Sequence, residues 1–277
     1  MEIGILGPLR VVVPGAVPRQ VSAPKVRSIL ANLLVTPNQV VAVDQLVKEL
    51  WGSDPPRTAR TALQVHVSAL RKLLVGTGLS PVGARVETRQ PGYAIMLDPR
   101  LLDSVRFDGA RTCAAATQET GDLQSASEEF ARALRIWRGP ALADARDTPR
   151  LRATARRLEE TRMATFERRV QIDLHLGRSG ELIGELYSAV AEHPLHEKLH
   201  EHLMTALYDQ RRPNDALDVY ANYRSFIRDA VGLEPGRRLR ELQRVALQWG
   251  CFEPDPRGSQ PSRTAAPVTD RRCGVPS

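Results

Sequence analysis

Leu63, Val67, Leu70 and Leu74 follow one another at intervals of four, three and four residues. In an α-helix that spacing places all four side chains on one side, and an apolar stripe of this kind has to face a core. The loop Ser53-Asp54-Pro55-Pro56 precedes the run, and Gly76 and Gly78 follow it. A helix is therefore expected over about residues 57–75. At 100° per residue, Thr61, Val65, Ser68 and Lys72 fall opposite the stripe, with Gln64 and Arg71 flanking on one side and His66 on the other.

The flanks restrict the fold further. The first 22 residues read as short strands broken at Gly7-Pro8 and Pro14-Gly15. Pro24 opens a helix carrying Val26, Ile29, Leu30, Leu33 and Leu34. Val40 to Val43 is a short β-branched stretch, and Asp44 is the expected N-cap of a second helix ended by Gly52. Downstream, Arg85 to Arg89, the turn Gln90-Pro91-Gly92 and Tyr93 to Leu97 read as a hairpin with an arginine at its tip. Strands, three helices and a terminal hairpin over residues 1–98 make an α+β winged helix-turn-helix. Its third helix fits a DNA major groove, and Arg89 on the hairpin can reach the adjoining minor groove.

Charge agrees with that reading. Residues 1–103 hold 12 Lys/Arg and 7 Asp/Glu, whereas residues 104–250 hold 23 and 22. Between Arg57 and Arg89 stand Arg60, Arg71, Lys72 and Arg85, and a single acid, Glu87. Such a basic patch beside a neutral second half suits a nucleic-acid module joined to something else, though charge alone equally fits a solvated face. Lys72 and Arg71 are expected to meet phosphate oxygens. Thr61, Gln64 and Ser68 are placed to hydrogen-bond base edges and Val65 to touch a thymine methyl. His66 either donates to phosphate or covers the helix flank.

Residues 104–250 are helical almost throughout, with helices expected near 104–120, 122–137, 149–176, 179–193, 195–210, 213–231 and 235–249. Gly121, Ala126, Phe130 and Ala133 stand at offsets 0, 5, 9 and 12. Gly177, Leu182, Leu186 and Ala189 repeat those offsets, as do Arg211, Ala216, Tyr220 and Tyr223 34 residues later. Thirty-four is the tetratricopeptide period, so a stacked all-α domain is expected. Such arrays often bind protein, and a protein-binding scaffold is the alternative function. Residues 252–277, rich in Pro, Ser, Arg and Gly, are expected to be a disordered tail.

Other classes fit poorly. No apolar run approaches the roughly 20 residues of a membrane helix. The start has no signal-peptide pattern, so a cytoplasmic location is expected. Three scattered cysteines, Cys113, Cys251 and Cys273, give neither a disulfide framework nor a clustered-cysteine zinc site. One stretch, His196-Glu197-Lys198-Leu199-His200, matches the zinc-protease pattern H-E-x-x-H. Its helix is expected to bury Leu195, Leu199 and Leu203 and to leave both histidines on a flank. No third ligand is evident, so a zinc hydrolase through His196, Glu197 and His200 stands only as a second alternative function, and neither an enzyme nor a cofactor is expected.

Several stretches together resemble one family. They are Ile5-Leu6-Gly7-Pro8-Leu9, Val43-Asp44-Gln45-Leu46 through Leu50-Trp51-Gly52, Asp54-Pro55-Pro56, Leu63-Gln64-Val65-His66-Val67-Ser68 with Leu70-Arg71-Lys72-Leu73-Leu74, and Gln90-Pro91-Gly92-Tyr93. In the second half they are His193-Pro194-Leu195, Leu203-Met204 to Tyr208, and Gly232-Leu233-Glu234-Pro235-Gly236. Over about residues 1–250 the chain resembles the Streptomyces antibiotic regulatory proteins, activators of antibiotic gene clusters. The resemblance implies an OmpR-type winged helix over 1–98 and a tetratricopeptide-like bacterial transcriptional activator domain over 104–250. It also implies promoter DNA with direct repeats as the target, a homodimer on DNA, and recruitment of RNA polymerase through its sigma and alpha subunits. By position, the helix over 57–75 is the recognition helix, Arg89 the wing arginine, and Trp51, Ser53, Asp54, Pro55 and Pro56 the polymerase-contact loop. Ala69 departs from the pattern, standing where many relatives carry a basic residue. The phosphate loop of the larger family members is not found.

Overall fold

The computed structural model describes residues 2–12, 19–76 and 84–249, so the tail expected over 252–277 lies outside the described residues. The chain divides into two compact units, residues 1–185 and 186–277.

The first unit opens with β1 (Glu2–Gly4), β2 (Arg10–Val12) and β3 (Arg19–Gln20), an antiparallel sheet in which Ile3 pairs with Val11 and Val11 with Arg19. Helices α1 (Pro24–Leu34), α2 (Val43–Trp51) and α3 (Ala59–Gly76) follow. Pro24 sits in the first turn of α1. A second sheet orders β4 (Val41–Ala42), β6 (Gly92–Met96) and β5 (Arg85–Arg89), with β5 at its edge. The winged helix-turn-helix read from the sequence is the observed arrangement.

Asp44 is not the N-cap of α2. That position belongs to Ala42, and Asp44 lies in the first turn. Strand β4 runs straight into the helix, and the Val43 N–H donates to the Pro91 carbonyl (3.1 Å). Asp44 instead complements the helix dipole and pairs with Arg60 at 2.6 Å. Gly92 is required where it stands: a Cβ there would lie 1.9 Å from the Val41 carbonyl oxygen.

Beyond a short 3-10 turn at Pro99–Leu101 come α4 (Asp103–Glu119), α5 (Leu123–Leu134), α6 (Pro149–His175) and α7 (Ser179–Glu192), which runs across the division at 185. The core does not stop near residue 98. One apolar cluster joins Ile3, Leu6, Ile29, Leu33, Leu63, Val67, Leu70 and Ile95 to Leu102, Phe107, Trp137, Leu142, Leu151 and Leu158. The rings of Phe107 and Trp137 meet edge to face at 5.5 Å. A smaller cluster gathers Ala114, Ala126, Phe130 and Ile172.

Polar bonds cross the same junction. Asp103, fully buried, accepts from the Ile5 N–H (2.8 Å), the Leu6 N–H (3.0 Å) and Arg138 Nη2 (3.0 Å). The Leu142 N–H donates to the Ile5 carbonyl and the Arg138 N–H to that of Leu6, each at 2.9 Å. Asp144 takes the Leu9 N–H (2.7 Å), and Asp147 the Ser28 hydroxyl. The stretch that leaves β1 is thus held between the winged part and the helices after it.

The second unit contains α8 (Glu197–Asp209), α9 (Pro213–Val231) and α10 (Arg237–Trp249). The repeat has a backbone meaning. Gly121, Gly177 and Arg211, the residues at offset zero, all adopt positive φ (89°, 74° and 57°). Each ends the turn after a helix, where a left-handed residue lets the chain reverse. Glycine accepts that conformation freely, whereas Arg211 holds it at a steric cost.

Candidate nucleic-acid interface

Helix α3 buries Leu63, Val67, Leu70 and Leu74. The opposite side is open: Thr61, Gln64, Val65, Ser68 and Lys72 are exposed, Val65 at 63%. Each of the four polar side chains in this set is free of hydrogen bonds and ion pairs within the described residues. A polar face with its donors and acceptors uncommitted is what base edges and phosphates require of a reading helix.

Arg71 differs from these five. Its Nε donates to the Val86 carbonyl (2.9 Å) and its Nη2 to the Thr88 hydroxyl (2.8 Å), while the guanidinium lies 6.0 Å from the Tyr93 ring. It ties α3 to the hairpin, whose Val86, Tyr93 and Ile95 also share the buried apolar cluster with Leu70 and Leu74. Arg71→Ala is therefore expected to weaken binding on every DNA sequence about tenfold and also to reduce any preference for A·T-rich flanks, because the hairpin loses its polar tie to α3. Affinities on duplexes differing only in their flanks check this; an undiminished flank preference would reduce Arg71 to a phosphate contact.

The hairpin carries Arg89 at the end of β5, paired across the turn with Gly92. Its Nη2 lies 2.8 Å from Glu87, and Arg85 Nε lies 2.6 Å from the same carboxylate. The Arg85 guanidinium, together with that of Arg89, holds the Glu87 carboxyl below its ordinary range, so it is charged at neutral pH.

At the end of α2, Trp51 is half-buried, with the Lys25 ammonium 5.3 Å from its ring and the His66 ring 6.5 Å away. Lys25 also donates to the Leu50 carbonyl. The His66 ring thus stands on the flank of α3 beside Trp51 and is part-exposed there. Ser53, Asp54, Pro55 and Pro56 follow this anchored base and are exposed.

The H-E-x-x-H stretch has a different use. Residue 195 precedes α8, so Leu195 is 52% exposed, whereas His200 turns inward at 5%. This reverses the burial expected from the leucine spacing, because the helix starts at Glu197 and its inward face is set by Leu199 and Leu203. His196 is the N-cap residue, outside the helix proper. Glu197 accepts the Tyr223 hydroxyl (3.2 Å) and the Gly236 N–H (2.9 Å), and His200 Nε2 lies 3.1 Å from the Pro194 carbonyl. Burial lowers the His200 imidazole, while burial and the Glu197 charge push the Tyr223 phenol up to about 12. Among the described residues no group of three or more His, Cys, Asp or Glu could hold a metal ion. No helix among them is long and apolar enough to cross a membrane.

Sequence reasoning missed the Arg71 tether and the Glu87 pairings. Alternation along residues 85, 87 and 89, which puts opposite charges on one strand face, carried the signal for the second.

Comparison with known proteins agrees with this architecture. The family model for the C-terminal part of transcriptional regulatory proteins matches residues 21–95, and that for the bacterial transcriptional activator domain matches residues 102–247. Transcriptional regulatory protein EmbR of Mycobacterium tuberculosis is 34% identical over 248 residues, which are 90% of this chain and 63% of EmbR. The chain thus spans less than two thirds of that relative. Regulatory protein DnrI of Streptomyces peucetius is 35% identical over 257 residues, 90% of this chain and 92% of DnrI. The solved structure of Mycobacterium tuberculosis EmbR with a low-affinity phosphopeptide superposes with a TM-score of 0.80 at 34% identity, covering 90% of this chain and 65% of that one. These matches are to regulators, not enzymes. By the activator domain over more than half its length and its likeness to DnrI along nearly the whole of both proteins, the chain belongs to the Streptomyces antibiotic regulatory protein family of transcriptional regulators.

Proposed function

We propose that the chain is a sequence-specific transcription activator that binds direct repeats near promoters and brings RNA polymerase to them. The observation that carries this is the uncommitted outer face of α3 standing beside an arginine-bearing hairpin. Thr61, Gln64, Val65 and Ser68 read base edges, Lys72 neutralises phosphate, and Arg89 enters the minor groove. The exposed loop Ser53 to Pro56 on its Trp51 base is the polymerase contact, through the sigma and alpha subunits. Two copies sit side by side on consecutive repeats, and the family supports an antibiotic or other secondary-metabolite gene cluster as the setting. The winged part over 1–98 reads DNA, and the helical part over 104–250 supports pairing and polymerase contact.

Footprinting on promoters of such a cluster, with and without polymerase, tests the proposal. Protection of repeats about one helical turn, or a multiple of it, apart, extended toward the promoter when polymerase is added, is the expected pattern. Protection at single sites with no repeat, or no change with polymerase, would contradict it.

A further inference from the structure

Residues 85, 87 and 89 leave the same face of β5 and make a row of positive, negative and positive charge. Each oxygen of the central carboxylate serves one arginine: Oε1 lies 2.6 Å from Arg85 Nε, and Oε2 lies 2.9 Å from Arg89 Nε and 2.8 Å from its Nη2. Glu87 is also the single acid among the basic residues from 57 to 89. Its side chain is 26% exposed, less than those of Arg85 (60%) and Arg89 (49%), and the carboxylate is flanked by the two guanidiniums.

We propose that Glu87 is a specificity-determining residue, which holds both wing arginines against capture by phosphate of arbitrary sequence. This rests on the reading of the hairpin as a DNA-binding wing. An arginine that moves from Glu87 to a phosphate exchanges one anion for another and gains little. A narrow A·T-rich minor groove has a deeper negative potential and offers a surplus. The charge left on Glu87 then repels a backbone that approaches without that groove. Glu87 therefore weakens binding to unrelated DNA more than binding to the proper site.

The test uses the full chain and two duplexes: the tightest-binding sequence selected by the wild-type protein from a random pool, and a shuffled duplex of equal length. Glu87→Gln is expected to raise affinity for the shuffled duplex roughly tenfold and for the selected one no more than about threefold. It should also steepen the salt dependence on shuffled DNA by about one unit, as one more phosphate is neutralised. In an Arg89→Ala background the gain should shrink, since one of the two released cations is gone. Unchanged affinity for shuffled DNA, or an equal gain on both duplexes, would overturn the role of Glu87 while leaving the DNA-reading assignment intact. If the wild-type chain bound neither a selected nor a shuffled duplex, both would fall.

Discussion

Asp103→Ala is expected to lower the stability of the first unit by about 3–5 kcal/mol, among the largest losses a single side chain here can cause. The carboxylate has no exposed surface and answers two backbone N–H groups, those of Ile5 and Leu6, as well as Arg138. Its removal leaves two buried donors without an acceptor and a largely buried guanidinium without its charge partner. Arg138 would keep only its bond to the Pro8 carbonyl (3.1 Å), and a second carboxylate is not at hand among the described residues. For a unit of this size the loss corresponds to a fall in Tm of about 10 °C. Asp103→Asn should cost less, because one oxygen remains to accept an N–H. Thermal unfolding followed by circular dichroism checks both, and a loss below about 1 kcal/mol for the alanine variant would show that water replaces the carboxylate.

Val65→Glu is expected to abolish DNA binding while leaving the fold intact. Val65 is 63% exposed at the centre of the open face of α3, so the substitution removes no core contact. Glutamate is also the better helix former of the two. On DNA, the new carboxylate would face a groove flanked by phosphates, where like charges brought together cost several kcal/mol, a drop in affinity of 100-fold or more. Fluorescence anisotropy against a selected duplex, with the melting curve as control, gives the readout. Binding within about threefold of wild type would place the duplex elsewhere.

The elements that were legible in the sequence are those fixed by local pattern. The stripe from Leu63 to Leu74 specified α3 and its open face, because helical periodicity alone decides which residues can be buried. The hairpin followed from Gln90-Pro91-Gly92 between alternating runs. Positions that depend on tertiary partners were not legible. Asp103 serves backbone groups almost a hundred residues away, and nothing in its neighbours announces that. Arg71 has the look of a free phosphate contact until β5 is seen beside it. Near Leu195 the leucine spacing extended past the true helix start at Glu197, so the stripe took in a leucine that precedes the helix and left the buried His200 on a flank. The turn at Arg211 was partly readable: its register with Gly121 and Gly177 marked a site that favours glycine, although the residue itself did not.

Site-specific photocross-linking bears most directly on which surface meets the duplex. A short-range photoreactive amino acid placed singly at position 65, 68 or 89, and at the exposed position 226 on α9 as control, would be irradiated on a selected duplex. Cross-links from 65 and 68 to bases of the major groove and from 89 to the adjoining minor groove, with none from 226, are the predicted result. DNA held at full affinity with positions 65, 68 and 89 all silent would contradict the assignment of α3 and its hairpin as the reading surface.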